Sequence, residues 1–247
     1  MNYNTAYPMR VGVLFSGGKD SCYAMYKALQ EHKVGCLISV VSENKESYMF
    51  HTANIELVDA QAEALGMPLV KARTKGVKEG ELDDLKKALL IAINDYGIKG
   101  VVSGAIASDY QASRIRRICE ELGLESITPL WGEDQLGLLR EVVKHGFKVL
   151  IVGIAGYPLD RSWLGREIND EVINELEKLK NKIGLQPAGE GGEIETFVVD
   201  SPMHKKKVRI IRVEKVYANN TGIMRIIRIR LEDKPRRWYY DTNALPA

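Results

Sequence analysis

The stretch Arg10-Val-Gly-Val-Leu-Phe-Ser-Gly-Gly-Lys-Asp-Ser-Cys22 decides the fold of the first part of this chain. An apolar run typical of a buried strand leads directly into residues 16–21, and a helix is predicted to follow at once. The two glycines let the backbone approach an anion closely because no Cβ stands in the way. The first N–H groups of the next helix have no partner inside that helix and point toward the anion. The sequence therefore predicts a turn that binds phosphate.

This turn differs from two common phosphate-binding motifs. A Walker A loop needs a glycine five residues before its Gly-Lys pair, and Val13 stands at that position. The stretch also lacks the G-x-G-x-x-G pattern of a dinucleotide-binding turn. Ser16, Lys19 and Ser21 add side-chain donors, and Lys19 adds a positive charge. The alternative is an ordinary glycine-rich turn that carries a surface lysine.

Strands and helices alternate over the first two-thirds of the chain. Apolar runs predict strands at 11–15, 35–41, 69–72, 100–103, 126–128 and 148–154. Amphipathic patterns predict helices at 20–31, 54–65, 81–96, 110–122 and 133–145. Repeated β–α units of this length predict one parallel sheet that is covered on both faces. In such sheets ligands bind at the carboxyl ends of the strands, where residues 16–21 are expected to lie.

The pattern changes after about Lys180. Residues 183–192 have the composition of a loop, and further strands are predicted at 194–199, 207–217 and 223–231. Asn219-Asn220-Thr221-Gly222 is a turn signal between the last two strands. We therefore expect an α/β domain at residues 1–182 and a small antiparallel extension at residues 183–247.

The composition is that of an ordinary globular protein, with 45% hydrophobic residues among 247. The sequence contains no run of about 20 apolar residues, the length that a membrane-spanning helix needs. Its first residues lack a signal-peptide pattern. We expect a cytoplasmic protein with no membrane contact. The three cysteines have no C-x-x-C spacing. Cys22, in the first helix, is expected to pack in the core rather than to react.

The net charge of +2 conceals a basic C-terminal part. From Ser201 onward the chain has twelve Lys or Arg residues and four Asp or Glu residues. Such a balance indicates either a polyanionic or acidic protein partner or the solvated face of a sheet. The residues themselves leave both interpretations open.

A polar block follows the fourth predicted strand. Residues 104–117 read Gly-Ala-Ile-Ala-Ser-Asp-Tyr-Gln-Ala-Ser-Arg-Ile-Arg-Arg, and the Ser-Asp pair can cap the helix that begins there. Gln111, Arg114 and Arg117 share roughly one face of that helix. Beside a triphosphate, the guanidinium of Arg114 would hold charge that develops on a leaving group. A basic face exposed to solvent is the alternative.

A second block, Gly189-Glu190-Gly191-Gly192-Glu193-Ile-Glu195-Thr196, is poor material for a core. Along a strand, Glu193 and Glu195 would point to one face. These acids would hold a metal-bound nucleotide, orient ammonia or meet a cationic substrate, and the alternative is a hinge with surface acids.

A further loop contains Trp163 and Arg166, residue types that often bind ligands in loops, although a tryptophan there is more commonly buried.

Taken together, these blocks resemble the diphthine–ammonia ligase family of the N-type ATP pyrophosphatases. The matching blocks are Ser-Gly-Gly-Lys-Asp-Ser at 16–21, Met-Phe-His-Thr at 49–52, Ser-Asp-Tyr-Gln at 108–111, Trp-Leu-Gly-Arg at 163–166 and Gly-Glu-Gly-Gly-Glu at 189–193, with Glu195-Thr196 after it. They span nearly the whole chain in the expected order. Eukaryotic members are expected to carry further C-terminal domains, so a chain that stops at Ala247 resembles a short form of the archaeal type.

The resemblance implies an α/β fold with a Rossmann-like adenine-nucleotide α-hydrolase (HUP) core, and a C-terminal extension that binds substrate. It also implies ATP-driven amidation of diphthine, a modified histidine on translation elongation factor 2, with ammonia as the nitrogen source and ATP and Mg²⁺ required. The hypothesis is that the diphthine carboxylate attacks the α-phosphorus of ATP, and that ammonia then attacks the acyl-adenylate. The products would be diphthamide, AMP and pyrophosphate.

The same resemblance implies roles for individual residues. The residues expected to cradle the β and γ phosphates are Ser16, Gly17, Gly18, Lys19 and Ser21. Those expected to line the adenine and α-phosphate sides are Val40, Ser42, Ser103 and Gly104, with Asp20 placing Mg²⁺. The expected catalytic residues are Lys19, Asp20, Arg114, Glu190 and Glu193. Those expected to contact the substrate are Asp109, Tyr110, Trp163, Arg166 and Glu195.

Two other functions remain open on the sequence. One is a tRNA-modifying member of the same superfamily, which the basic C-terminal part favours. Sulfur-transferring members commonly use paired cysteines, which this chain lacks, so a nucleic-acid partner is disfavoured. The other is a regulatory protein that binds ATP without cleaving it. The sequence leaves open whether the chain forms a homo-oligomer.

Overall fold

A computed structural model describes residues 8–44, 53–76 and 80–235. Two sheets organise these residues, one parallel with five strands and one antiparallel with four. The predicted fold class, a parallel α/β core with an antiparallel C-terminal part, is confirmed.

The parallel sheet has the strand order β3-β2-β1-β4-β5. Its strands are β1 (Arg10–Leu14), β2 (Lys33–Ser42), β3 (Leu69–Thr74), β4 (Gly100–Val102) and β5 (Glu125–Ile127). The helices between them are α1 (Lys19–Ala28), α2 (Val58–Leu65), α3 (Gly80–Tyr96) and α4 (Asp109–Leu122). The chain leaves β1 toward β2, whereas β4 pairs with the other side of β1. The strand order therefore switches between β1 and β4, which opens a crevice at their carboxyl ends.

Helices cover both faces of this sheet, which explains why its strands read as continuous apolar runs. On one face, Leu85 and Leu89 of α3 pack with Ile118 of α4 in a cluster that includes Ile38 and Val101. On the other face, the core around α1 and α2 continues without interruption into the second sheet. The antiparallel part is therefore packed directly on the parallel part.

The antiparallel sheet has the order β7-β6-β9-β8. Its strands are β6 (Lys148–Ala155), β7 (Ile194–Asp200), β8 (Lys206–Ala218) and β9 (Thr221–Asp233). The placement of residues 148–154 in the parallel series is wrong, because β6 pairs antiparallel with both β7 and β9. Val149, Ile151 and Val152 are fully buried. A central strand of either sheet gives this apolar run, so the sequence could not distinguish the two positions.

The second sheet is flanked by α5 (Gln135–Lys144) and α6 (Asp170–Ile183). Helix α6 is absent from the sequence predictions, although both of its end signals are present. Asn169 caps it by accepting a hydrogen bond from the N–H of Val172 at 2.9 Å, and Gly184 ends it with a φ of 74°. The predicted domain division at 182/183 falls at this helix end. That division stays a prediction.

The β8–β9 hairpin closes with the predicted turn. Asn219 and Asn220 have φ angles of 50° and 57°, the left-handed conformation that a two-residue hairpin turn of type I′ requires. This turn signal is confirmed. None of the helices in the described ranges is long and apolar enough to cross a membrane.

Candidate functional site

A cleft of about 570 Å³ lies at the carboxyl ends of β1, β2 and β4. Its far wall is the glycine-rich segment 188–192 and the start of β7. The predicted site residues that line it are Ser16, Gly18, Asp20, Ser21, Val40, Ser103, Gly104, Tyr110, Glu190 and Glu195. The fold thus brings together residues from three separate blocks of the sequence.

Two hydroxyl groups hold residues 16–21, here called the phosphate loop, in shape. The Ser21 hydroxyl donates to the carbonyl of Gly18 at 3.1 Å and accepts from the N–H of Ser16 at 3.3 Å. The Ser16 hydroxyl lies 3.2 Å from that of Ser21 and accepts from the N–H of Gly18 at 3.4 Å. Because Gly18 has no side chain to cap α1, the N–H groups of Asp20 and Ser21 in its first turn receive no capping side chain from residue 18 and are available to an anion.

The phosphate loop is fastened to the second sheet. The N–H of Val198 on β7 donates to the carbonyl of Gly17 at 3.0 Å, and the N–H of Lys19 donates to the Thr196 hydroxyl at 3.1 Å. Gln61, fully buried on α2, donates from Nε2 to the carbonyls of both Gly17 and Val198 at 3.0 Å. The position of the loop therefore depends on β7 and α2 as well as on β1.

Two glycines permit the close packing of this loop. Gly17 has a φ of 78°, and a Cβ there would lie 1.8 Å from Oε1 of Gln61. A Cβ on Gly104 would lie 2.7 Å from the backbone carbon of Asp20. Any larger residue at 104 would push the β4–α4 loop away from the start of α1. The two loops are thus in direct backbone contact at the strand-order switch.

Lys19 and Asp20 form the charged centre of the site. The Lys19 side chain is only 2% exposed, and its Nζ contacts Oδ2 of Asp20 at 2.9 Å and the carbonyl of Ala188. Lys19 therefore joins the phosphate loop to the glycine-rich segment from behind the cleft. Oδ1 of Asp20 is buried and has no hydrogen-bond partner among the described residues, and the same is true of the Ser103 hydroxyl.

These two unpartnered oxygens fit a magnesium nucleotide. Mg²⁺ is commonly held by one or two carboxylates together with substrate phosphates rather than by a cage of protein ligands. Within the described residues, no group of three or more His, Cys, Asp or Glu side chains could hold a metal ion. A single free carboxylate oxygen on Asp20 is the arrangement expected where phosphates complete the coordination.

Glu190 faces Asp20 across the cleft. Its Oε2 accepts from the N–H of Ala107 at 3.2 Å, which ties the glycine-rich segment to the β4–α4 loop. Burial, followed by the negative charge of Asp20, raises the pKa of Glu190 above its ordinary value. Acids with raised pKa values are common at functional sites. Glu190 is thus a candidate to exchange a proton or to meet a cation in the cleft.

The other two acids of this segment have different surroundings. Glu195 lines the cleft, and its Oε2 accepts from the N–H of Ala53 at 2.5 Å. Glu193 precedes β7 and does not line the cleft, because its Oε1 accepts from the N–H of Gln186 at 3.3 Å beneath the glycine turn. Of these two acids, only Glu195 lies on β7 and in the cleft lining.

Tyr110 stands at the rim of the cleft and is 38% exposed. The guanidinium carbon of Arg114 lies 3.6 Å from the centre of the Tyr110 ring, and Arg114 Nη1 donates to the carbonyl of Tyr110 at 3.3 Å. Arg114 lines a separate groove of about 520 Å³ between α3 and α4. Its contact with the cleft is therefore made through Tyr110.

The remaining predicted site residues lie outside the cleft lining. Ser42 bonds locally to Asn44, and Asp109 is exposed in the first turn of α4. Trp163 is buried, and Arg166 stacks on its ring and pairs with both carboxylate oxygens of Glu175 on α6. The structure thus gives Trp163 and Arg166 a packing role, and their contact with substrate stays a prediction. The block at 49–52 lies outside the described residues.

Sequence reasoning missed two residues that shape the site. Gln61 and Thr196 bind the backbone of the phosphate loop. A signal for Gln61 was available, because it lies on the otherwise apolar face of α2 with Val58 and Leu65. Thr196 belongs to the block at 189–196 that the sequence singles out, but the sequence assigns no role to it, since threonine is common in strands. The expectation for Cys22 is confirmed, because burial of its side chain raises the pKa of the thiol.

Comparisons with known proteins agree with these features. Residues 9–126 match the model of the diphthamide synthase N-terminal domain, and residues 134–231 match that of the diphthamide synthase C-terminal domain. A Mus musculus protein named diphthine–ammonia ligase is 35% identical over 251 residues, covering 92% of this chain and 94% of the mouse protein. A Schizosaccharomyces pombe protein of the same name is 30% identical over 246 residues, covering 92% of this chain and 40% of its own length.

The lengths of these relatives correct one expectation. The S. pombe protein is much longer than this chain, as expected of eukaryotic relatives, but the mouse protein is not, so that expectation is wrong for the mouse protein. A crystal structure described as a predicted subunit of tRNA methyltransferase from Methanocaldococcus jannaschii has a TM-score of 0.42 and 21% identity, covering 78% of this chain and 97% of that one. On the two domain matches and the 35% identity to the mouse protein, the chain belongs to the diphthamide synthase family.

Proposed function

We propose that this protein amidates diphthine on translation elongation factor 2, using ATP and ammonia. One observation carries the proposal. A phosphate loop with an open helix start and the acidic segment 188–195 form opposite walls of one cleft, and Lys19 joins them. An ATP-driven ligase needs this combination, because the nucleotide and the acceptor must meet at the α-phosphorus. The names of the relatives supply the acceptor.

The reaction divides into two transfers. First, a carboxylate oxygen of diphthine attacks the α-phosphorus, and the bond from that phosphorus to the bridging oxygen of the pyrophosphate breaks. An acyl-adenylate and pyrophosphate result. Second, the nitrogen of ammonia attacks the acyl carbon, the bond to the AMP oxygen breaks, and a proton leaves the nitrogen. Diphthamide and AMP result, so that one ATP and one ammonia are consumed for each amide formed.

The phosphate loop binds the departing pyrophosphate in this scheme. The open start of α1 and the Ser16 hydroxyl face the cleft, where they would stabilise negative charge on the leaving group. Lys19 adds a fixed positive charge from behind, next to Asp20. Oδ1 of Asp20 and the Ser103 hydroxyl would hold the magnesium ion, which supplies charge neutralisation for the phosphates.

The acidic wall serves the acceptor side. Glu190, with its raised pKa, is suited to accept the proton that ammonia loses. Glu195 and the Tyr110 ring would face the quaternary ammonium group of diphthine, since carboxylates and aromatic faces attract such cations. We also place the reaction in the cytoplasm, where elongation factors work.

The proposal is tested by following AMP and the mass of the acceptor together. The full chain is incubated with ATP, Mg²⁺ and ammonium, either with elongation factor 2 that carries diphthine or with bulk tRNA. We expect AMP only with the elongation factor. The mass of the elongation factor should change by the difference between a carboxylic acid and its amide, in which an amino group replaces one hydroxyl group. AMP that depends on tRNA alone would instead identify a tRNA-modifying enzyme. ATP binding without AMP in either arm would identify a regulatory protein.

A further inference from the structure

The β8–β9 hairpin presents a basic surface that the cleft does not use. Residues 206–233 contain eight Lys or Arg residues and three Asp or Glu residues. Near the middle of the hairpin, Ile211, Arg212, Ile227 and Arg228 are all exposed. These four residues, here called the hairpin patch, combine two arginines that have no ion pair within the described ranges with two aliphatic side chains.

The arginines of the hairpin patch face each other across the two strands. Arg212 is directly opposite Arg228, and Arg209 is directly opposite Arg230. Like charges in this position destabilise a sheet. The outer pair is compensated, because Glu232 lies 3.7 Å from Arg209 and 2.6 Å from Arg230. No carboxylate in the described part of the chain forms an ion pair with Arg212 or Arg228. Among the described residues, this unfavourable pair is therefore not neutralised by a carboxylate.

The isoleucines of the hairpin patch lie at irregular points of the ladder. The register shifts between Ile210 and Arg212 and again between Arg212 and Val213, so Ile211 has no partner in the pairing. Such bulges redirect side chains and are over-represented near functional surfaces. Ile211 is 45% exposed and Ile227 is 49% exposed. Exposed apolar side chains that form a patch rimmed by polar residues mark contacts with other proteins, and these two isoleucines would form the apolar part of such a patch.

The hairpin patch is physically connected to the cleft. Asn54 is only 5% exposed, donates from Nδ2 to the carbonyl of Met224 at 3.0 Å and accepts at Oδ1 from the N–H of Ile226 at 2.7 Å. Its neighbours in the chain also belong to the site, because Ile55 lines the cleft and Ala53 donates to Glu195. One short segment thus fixes β9 just before the patch and forms part of the cleft wall.

We propose that the hairpin patch docks the protein substrate through an acidic surface segment, which holds the acceptor while its modified residue enters the cleft. This inference rests on the proposed function for the existence of a protein acceptor. Arg212 and Arg228 supply the charge complementarity, and carboxylates of the partner relieve their mutual repulsion. Ile211 and Ile227 supply a small apolar contact at the centre.

Two other occupants fit the hairpin patch less well. Single-stranded nucleic acid is usually held by aromatic side chains that stack on bases, whereas the patch offers only aliphatic ones. A second copy of this chain docked patch to patch would bring four arginines together, and like charges at an interface oppose association. An acidic protein surface can pair with the two arginines and also pack against the two isoleucines of the hairpin patch.

The test compares two charge-reversed variants of the full chain. Arg212→Glu/Arg228→Glu keeps two like charges opposite each other, so the repulsion between the two strands of the hairpin is the same in kind as in wild type. Lys99→Glu/Arg116→Glu makes the same change in net charge at exposed positions on the parallel part. Binding of diphthine-bearing elongation factor 2 is measured without ATP, and KM is measured separately for the acceptor and for ATP. We expect the hairpin variant to weaken acceptor binding about tenfold or more, with KM for ATP unchanged and the control like wild type.

The outcomes separate this proposal from the proposed function. If wild type amidates the acceptor and the hairpin variant binds it as tightly as the control does, docking at the patch is excluded. If wild type binds through the patch but forms no AMP, docking stands and the ligase function falls. If wild type neither binds nor amidates the acceptor, both fail. Loss of tRNA binding or of a dimer in the hairpin variant, with acceptor binding intact, would assign the patch to that other partner.

Discussion

The hydroxyl of Thr196 accepts a hydrogen bond at 3.1 Å from the backbone N–H of Lys19, a residue 177 positions away in the sequence. This contact joins the phosphate loop of the parallel part to β7 of the antiparallel sheet. Val198 and Gln61 add two further bonds to the carbonyl of Gly17. The geometry of the phosphate loop thus depends on both sheets, because these bonds tie the nucleotide side of the cleft to the strand that carries Glu195.

Replacing Thr196 by valine should loosen this junction. Valine has nearly the same shape but no oxygen, so the N–H of Lys19 loses its partner at a buried position. Leaving a buried donor unsatisfied costs about 1–3 kcal/mol of folding free energy. We expect a lower free energy of unfolding in urea and a raised KM for ATP. Thr196→Ser keeps the hydroxyl and should restore both quantities; equal behaviour of the two variants would contradict the role of this bond.

Removal of the Asp20 carboxylate should abolish AMP formation while the fold persists. Asp20→Ala deletes Oδ1, the unpartnered oxygen assigned to Mg²⁺, and also the partner of Lys19. Loss of one group that stabilises developing charge typically lowers kcat about a hundredfold or more. AMP release and circular dichroism are measured together. Asp95→Ala, an exposed acid on α3, is the control, and substantial AMP formation by Asp20→Ala would defeat the assignment.

The sequence predicts most of the nucleotide side of the cleft because the relevant signals are local. Residues 16–21 and Gly104 each follow a strand that the apolar pattern identifies, and parallel strands place their carboxyl ends at one edge. The roles of Gln61 and Thr196 are not predicted, because these residues bind backbone atoms that are distant in the sequence. Local composition contains no information about such pairings, and only Gln61 leaves a trace as a polar residue on an apolar helix face.

The block at residues 163–166 shows where residue types alone leave two roles open. Tryptophan and arginine in a loop after a strand suggest a binding loop. In the structure, Trp163 fills the core, and Arg166 is held by the ring and by Glu175. The same residue types thus serve packing here, and their contact with substrate stays a prediction.

The raised pKa of Glu190 makes stability depend on pH in a defined direction. The folded protein binds a proton at Glu190 at pH values where the unfolded chain has already lost it, so stability falls as pH rises from the ordinary glutamate value of 4.5 through the folded pKa. Glu190→Gln should remove this decline, because the amide oxygen can still accept from Ala107. Urea unfolding over a pH series tests this. We expect the variant to be more stable than wild type at neutral pH, and yet to form less AMP.

The control for Glu190 is Glu133→Gln, which removes an exposed carboxylate outside the cleft. Its stability should follow that of wild type over the same pH series. A Glu190→Gln variant with the pH profile of wild type would show that the carboxylate is already solvated in the folded protein. A variant that is stabilised but fully active would place Glu190 outside the chemistry.

His204 should make the protein sensitive to acid. Burial, together with the charge of Lys234, lowers the pKa of His204 from 6.5 to about 3. Between these values the unfolded chain takes up a proton that the folded state refuses, so stability falls as pH drops below 6.5. His204→Gln, which cannot ionise, should flatten that slope in chemical denaturation. Ser201→Ala removes the hydroxyl that lies 2.7 Å from Nδ1 but keeps the imidazole, so its slope should remain.

The opposed arginines of the hairpin patch give a prediction in which stability and binding change in opposite directions. Arg212→Thr/Arg228→Thr removes two like charges that face each other and introduces residues that favour strands. Relief of a like-charged pair is worth about 0.2–1 kcal/mol, so the free energy of unfolding should rise while acceptor binding falls. Arg209→Thr/Arg230→Thr loses the ion pairs with Glu232 and should gain less stability or none. If Arg212→Thr/Arg228→Thr is less stable than wild type, the two arginines stabilise the fold, and the prediction is wrong.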